Sequence, residues 1–277
     1  MDVNQATAIH SGSTTGTAGH PGQVVLVHIG DGLATITLNR PDKLNALSLG
    51  LAKEFRRAVT EVAERGDVGV LLIQGAGSGF CAGGDVGEMA AAADCGDYLA
   101  ELVGEMNGPL AALSKLPVVT ITAVHGTVAG GGIGLMLAGD IVLAAEGTRF
   151  TSAYPGVGLS PDCGASTLLP AVVGLRRALE FTLAGRMLDA EHALEWGLIS
   201  EVVAPDQLRE RAAVVARGIL AGAPQALGET RRLLRASVGR GFVEGLQDEI
   251  ATISMLARTE LAGKRIARFA APRGAAS

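Results

Sequence analysis

Apolar positions along the chain alternate between short β-branched runs and longer stretches at helical spacing. Residues 24–29 and 33–38 are two such runs, and Gly30-Asp31-Gly32 between them predicts a hairpin. The polar turn Asn39-Arg40-Pro41-Asp42-Lys43 follows. Leu51, Phe55, Val59 and Val62 share one face of a helix over residues 47–64, which Gly66-Asp67 ends. Residues 68–74 read as a buried strand. Residues 116–124, opened by Pro117, read as another; Gly130-Gly131-Gly132 then breaks the run, and residues 133–138 read as helix. Further helical segments start at Val173 and span residues 188–196, and Val202 and Val203 suit a last short strand. From Asp206 the pattern is helical, with Leu208, Ala212, Val215 and Ile219 on one face, then residues 225–237 and 242–256. Strands alternating with helices make this an α/β chain. It divides into a disordered tail over 1–22, rich in Ser, Thr, Gly and Ala, a folded core over 23–205 and a helical region over 206–277. That last region would bury little alone, which predicts a self-associating surface.

Two glycine loops stand where a strand gives way to a helix. One is Gly130-Gly131-Gly132; the other is the stretch from Gly75 to Asp85, which also ends in a helix start. The first N–H groups of a helix lack internal partners and lie at the positive end of its dipole, so an anion or a developing oxyanion can be held there. Two backbone donors from two such loops can converge on one oxygen. The competing readings are weaker. The upstream loop lacks the lysine of a Walker loop, and Phe80 occupies a position where the dinucleotide fingerprint needs glycine. The glycines at 126, 130, 131, 132, 134 and 139 argue against a membrane-spanning helix over 116–139.

Composition narrows the classes further. The 277-residue chain is 48% hydrophobic, ample for a core. A net charge of -5 with scattered Lys and Arg, and 3% aromatic residues, give nucleic acid neither a basic stripe nor stacking platforms. Cys81, Cys95 and Cys163 form no CxxC pair, so neither a disulfide framework nor a metal site is expected, and the compartment is expected to be reducing and cytoplasmic. No membrane association is expected.

Several ordered motifs resemble one family. They are Asn39-Arg40-Pro41 through Asn45-Ala46-Leu47, Phe80-Cys81-Ala82-Gly83-Gly84-Asp85, His125-Gly126 through Gly130-Gly131-Gly132, Asp140-Ile141-Val142-Leu143-Ala144, and Phe150. Together, over about residues 24–273, they resemble the crotonase (enoyl-CoA hydratase/isomerase) superfamily. The resemblance implies an α/β spiral of ββα units and a C-terminal helical region used to form a homotrimer or dimer of trimers. It implies acyl-CoA thioesters as substrates, with coenzyme A part of the substrate and no separate cofactor. It places the oxyanion donors on the backbone of Gly84 and Gly131, and coenzyme A contacts on Lys43, Leu44, Ala46, Ala82, Gly83, Asp85, Val86 and Arg273. Lys264, Arg265 and Arg268 are further cations for its phosphates; the family's usual terminal lysine would fall on Pro272.

Acid/base residues decide which family reaction runs. Hydratases of the family carry one glutamate two residues after the glycine triplet and a second four residues after the position of Phe150. Here those positions hold Gly134 and Tyr154. Asp162, in Pro161-Asp162-Cys163-Gly164 followed by Leu168-Leu169-Pro170, resembles the base of the double-bond isomerases. One carboxylate suffices for a 1,3-shift, because it can take a proton from one carbon and return it to another. Asp162 and Asp85 also each precede a helix and suit an N-cap. Tyr154 is expected either to line the acyl pocket or to donate a hydrogen bond. An isomerase is therefore the expectation; a hydratase with divergent residues and a non-catalytic acyl-CoA-binding paralogue are the alternatives.

Overall fold

A computed structural model describes residues 22–271. Residues 1–21 of the tail expected over 1–22, and residues 272–277 with Pro272 and Arg273, lie outside the described residues. Strands β1 (Val25–Gly30) and β2 (Leu33–Leu38) form the expected antiparallel hairpin. Asp31 and Gly32 turn it with positive φ of 51° and 77°, the left-handed pair that a tight hairpin requires. Helix α1 (Leu49–Ala63), capped by the Ser48 hydroxyl, leads to β3 (Val70–Gly75). Two helices follow, α2 (Val86–Ala91) and α3 (Cys95–Lys115). Next come β4 (Val119–Val124), β5 (Thr127–Ala129), α4 (Gly131–Leu137), β6 (Ile141–Ala145) and β7 (Arg149–Thr151). The chain continues through α5 (Ala165–Val173), α6 (Leu175–Leu183), β8 (Leu188–Asp189), α7 (Ala190–Glu195) and β9 (Glu201–Val203). It ends in α8 (Leu208–Leu220), α9 (Pro224–Ala236), α10 (Phe242–Ala257) and α11 (Glu260–Ala270).

The main sheet has the order β1-β2-β3-β4-β6-β9, parallel from β2 onward, and β5-β7-β8 form a second, smaller sheet. Both faces of the main sheet are covered. On β3, Leu71 and Ile73 point into a cluster with Leu51, Phe55 and Val59 of α1, while Val70 and Leu72 point into a second with Leu208, Ala212 and Ala216 of α8. Helix α8 thus completes the core, although it follows the boundary at 205/206 drawn from sequence. Each fully buried side chain such as Phe55 contributes on the order of 2 kcal/mol.

Helix α9 is bolted on by two arginines that share Asp140. Buried Arg231 donates to Asp140 Oδ2 at 2.8 Å and to the carbonyls of Leu113 and Leu116, at the end of α3. Arg235 donates to Asp140 Oδ1 at 2.7 Å and to the carbonyls of Leu137, Ala138 and Gly139, at the end of α4. Beyond it, α10 and α11 leave Phe242, Ile253, Ile266 and Phe269 exposed. Among the described residues, no helix is long and apolar enough to cross a membrane.

Candidate active site

The carboxyl ends of β3 and β5 deliver the two glycine loops side by side. Phe80 N–H donates to His125 O at 2.8 Å, Cys81 N–H to Thr127 O at 3.2 Å, and Ala129 N–H to Cys81 O at 2.9 Å. The upstream loop is pinned from its other side by the 40–47 turn. Buried Asn45 donates to the carbonyls of Ala76 and Gly79, and its own Oδ1 accepts Arg40 N–H. Leu47 N–H donates to Gly83 O at 2.7 Å and Asp85 N–H to Leu47 O at 2.9 Å, so the ladder skips the intervening N–H of Gly84. Gly130 then turns with φ 49° and ψ -126°, outside what a side chain allows, and Gly131 opens α4. Among the described residues, no acceptor takes up the N–H of Gly84 or of Gly131.

Both glycines line one cavity of about 550 Å³, together with Ala82, Gly83, Val86, Tyr154 and Asp162. A Cβ built on Gly131 would lie 3.2 Å from Asp162 Oδ1, which places the carboxylate beside that glycine. The Tyr154 O–H donates to the same Oδ1 at 2.7 Å. Burial above all, then the Asp162 charge, pushes the Tyr154 phenol far above its usual range. Burial likewise raises the Cys163 thiol and holds Cys81 up to about 12, so neither is a thiolate nucleophile. Gly134, where a hydratase glutamate would stand, is closed: a Cβ there would overlap the carbonyl of Cys163 and lie 2.8 Å from its Cβ.

Capping accounts for one of the two aspartates only. Asp85 Oδ1 accepts from Gly87 and Glu88 N–H at the start of α2, and its Oδ2 takes Arg40 at 2.9 Å, so both oxygens are committed and the side chain is outside the cavity lining. Asp162 caps nothing through its side chain. The N-cap of α5 is Gly164, and Asp162 meets that helix only by accepting Ala165 N–H on its backbone carbonyl. Lys43, Leu44 and Ala46 lie on the adjoining turn rather than in the lining: Lys43 is exposed, Leu44 O accepts Ala82 N–H, and Ala46 O accepts Arg40 Nη1. Lys264 pairs with Glu260 on exposed α11, and Arg265 donates to Gly222 O. No three His, Cys, Asp or Glu side chains among the described residues gather to hold a metal ion.

Sequence reading missed the opposite wall. Met89 of α2 and Leu99, Leu102, Val103 and Met106 of α3 supply most of the apolar lining. The signal was present in the spacing of Leu99, Leu102, Met106, Leu110 and Leu113, which is helical despite Pro109.

The sequence matches the enoyl-CoA hydratase/isomerase family over residues 28–272. The chain belongs to that family. Its relatives run different reactions. It is 36% identical over 220 residues to 1,2-epoxyphenylacetyl-CoA isomerase of Escherichia coli K12, spanning 78% of this chain and 83% of that one. It is 32% identical over 219 residues to 4-chlorobenzoyl coenzyme A dehalogenase-2 of an Arthrobacter species, 78% of each. The crystal structure of enoyl-CoA hydratase from Bacillus anthracis superposes with a TM-score of 0.83 at 29% identity, over 89% of this chain and 96% of that one. Membership in the enoyl-CoA hydratase/isomerase family therefore establishes the fold and leaves the individual reaction to the side chains.

Proposed function

We propose that this member of the family is an isomerase of unsaturated acyl-CoA thioesters, with Asp162 as its single acid/base. The observation that carries the reading is the Asp162 carboxylate beside Gly131, in a cavity that Gly84 also lines. Asp162 takes a proton from the acyl chain, and the electron pair moves through the carbon framework onto the thioester oxygen. The two N–H groups receive that oxygen as it becomes an enolate, each contributing on the order of 3 kcal/mol. Asp162 then returns the proton to a different carbon, and the double bond has moved. Hydration instead requires a second group to hold and activate water. Gly134 has no room for one, and the Tyr154 hydroxyl is engaged with Asp162.

The exposed apolar residues of α10 and α11, Phe242, Ile253, Ile266 and Phe269 among them, suit burial between copies, and we assign them to a closed homotrimer or dimer of trimers. A cytoplasmic location fits the three unpaired thiols. The deciding experiment offers a 3-enoyl-CoA and a trans-2-enoyl-CoA to the wild type and to Asp162→Asn. Selective conversion of the 3-enoyl substrate, lost in the variant, is expected. Robust hydration of the 2-enoyl substrate would overturn the proposal in favour of a hydratase, and coenzyme A binding without turnover of either would make the chain a binding protein.

A further inference from the structure

The acid/base carboxylate stands on a loop that one hydroxyl closes. Tyr154 opens the short 3-10 turn Tyr154–Val157, and Asp162 follows eight residues after it. Between them the chain bulges outward through exposed Val157 and Leu159, and Leu159 N–H bonds back to Tyr154 O at 3.1 Å. The phenol oxygen then does two things at once: its O–H donates to Asp162 Oδ1 at 2.7 Å, and it accepts the backbone N–H of Asp162 at 3.3 Å. Carboxylate and backbone of the same residue are thus referred to one buried atom group. The flanking backbone is held in costly shapes. Ala153, just before Tyr154, and Cys163, just after Asp162, have φ of 59° and 49°, which side-chain-bearing residues rarely adopt unless surrounding contacts impose it.

The two carboxylate oxygens are not equivalent. Oδ1 takes the Tyr154 hydroxyl at 2.7 Å, Oδ2 has no such hydroxyl donor among the described residues, and the Cys163 thiol is the carboxylate's other side-chain hydrogen-bonding neighbour. Burial and the Asp162 charge keep the phenol protonated throughout the working pH range, so it can donate and cannot itself serve as a base.

We propose that Tyr154 is a positioning residue for the Asp162 carboxylate, fixing Oδ1 so that Oδ2 is the atom that exchanges the proton with the acyl chain. The inference rests on Asp162 as the base. Fixing one oxygen fixes the plane of the carboxylate, and an aligned base is worth far more than a rotating one.

Tyr154→Phe keeps the ring and its packing while removing the hydroxyl. Two readouts are needed. The first is turnover of the 3-enoyl-CoA, where kcat is expected to fall on the order of tenfold with KM within about twofold, because substrate binding is untouched. The second is the same substitution made in Asp162→Asn, where no further fall in kcat is expected, because the group that Tyr154 positions is already gone. A loss confined to KM in a folded Tyr154→Phe protein, or a full tenfold loss again in the Asp162→Asn background, would reduce Tyr154 to a wall of the cavity and overturn the proposal. Wild-type turnover by Asp162→Asn would instead remove the base assignment on which the proposal rests.

Discussion

The two sides of the cavity are built on opposite plans. The side that carries Gly84 and Gly131 is made of backbone, laddered to neighbouring loops and packed so closely that side chains are excluded. A Cβ on Gly132 would fall 2.5 Å from Cys81 O, and one on Gly131 2.9 Å from Leu47 Cδ1. The side that carries Tyr154 and Asp162 is an outward loop with an exposed tip, and its chemistry lies in two side chains that meet through one hydrogen bond. In the proposed reaction the backbone side supplies the donors to a thioester enolate and the side-chain side supplies the base. A fold of this kind leaves the second side open to change, and the relatives include an isomerase, a dehalogenase and a hydratase.

Perturbing each side separately tests that division. The largest effect is expected from Asp162→Asn, which removes the base while keeping the Oδ1 acceptor: kcat should fall by about 10²–10⁴ with coenzyme A affinity retained. Steady-state kinetics beside calorimetric titration of coenzyme A separate the two quantities. Gly131→Pro removes one donor at the first position of α4, with its ring crowded against Leu47 Cδ1, and should lower kcat by about 10²–10³. An equal loss of coenzyme A binding would show instead that the loop had moved. Gly134→Ala asks whether the backbone side is as closed as it looks. Its Cβ has no space against the Cys163 backbone, so a cost of about 2 kcal/mol is expected, read as a melting temperature lower by roughly 4–8 °C.

The smallest effect is alkaline. Buried Cys81 keeps its proton up to about 12, whereas the unfolded thiol loses it near the ordinary 9.0. Folding stability should therefore be intact below about pH 9 and decline as pH rises from there towards 12, by the linkage of proton loss to unfolding. Alkylation followed by mass spectrometry should label exposed Cys95 in the native protein and spare Cys81 and Cys163 until unfolding. Native labelling of Cys81 would mean that the backbone side opens.

Much of this molecule was legible along the chain. The hairpin, helix α1, the strands feeding the glycine loops and the helices from α8 onward follow from hydrophobic spacing and turn residues, which act over a few neighbours. Glycine marks the donor loops because only glycine permits the φ of Gly130 and the close approach at Gly131 and Gly132. The missing hydratase glutamates are equally plain in the sequence, as Gly134 and Tyr154. Other features depended on groups far apart in the chain. That Asp85 is spent on α2 and Arg40 while Asp162 is free of capping is invisible locally, since both precede a helix. The apolar wall of α3, the closure of Gly134 by Cys163 and the bond from Tyr154 to Asp162 exist only once the sheet has set its loops side by side. Local chemistry therefore determined the elements and the glycine loops, and tertiary packing decided which carboxylate was spent on capping and which was not.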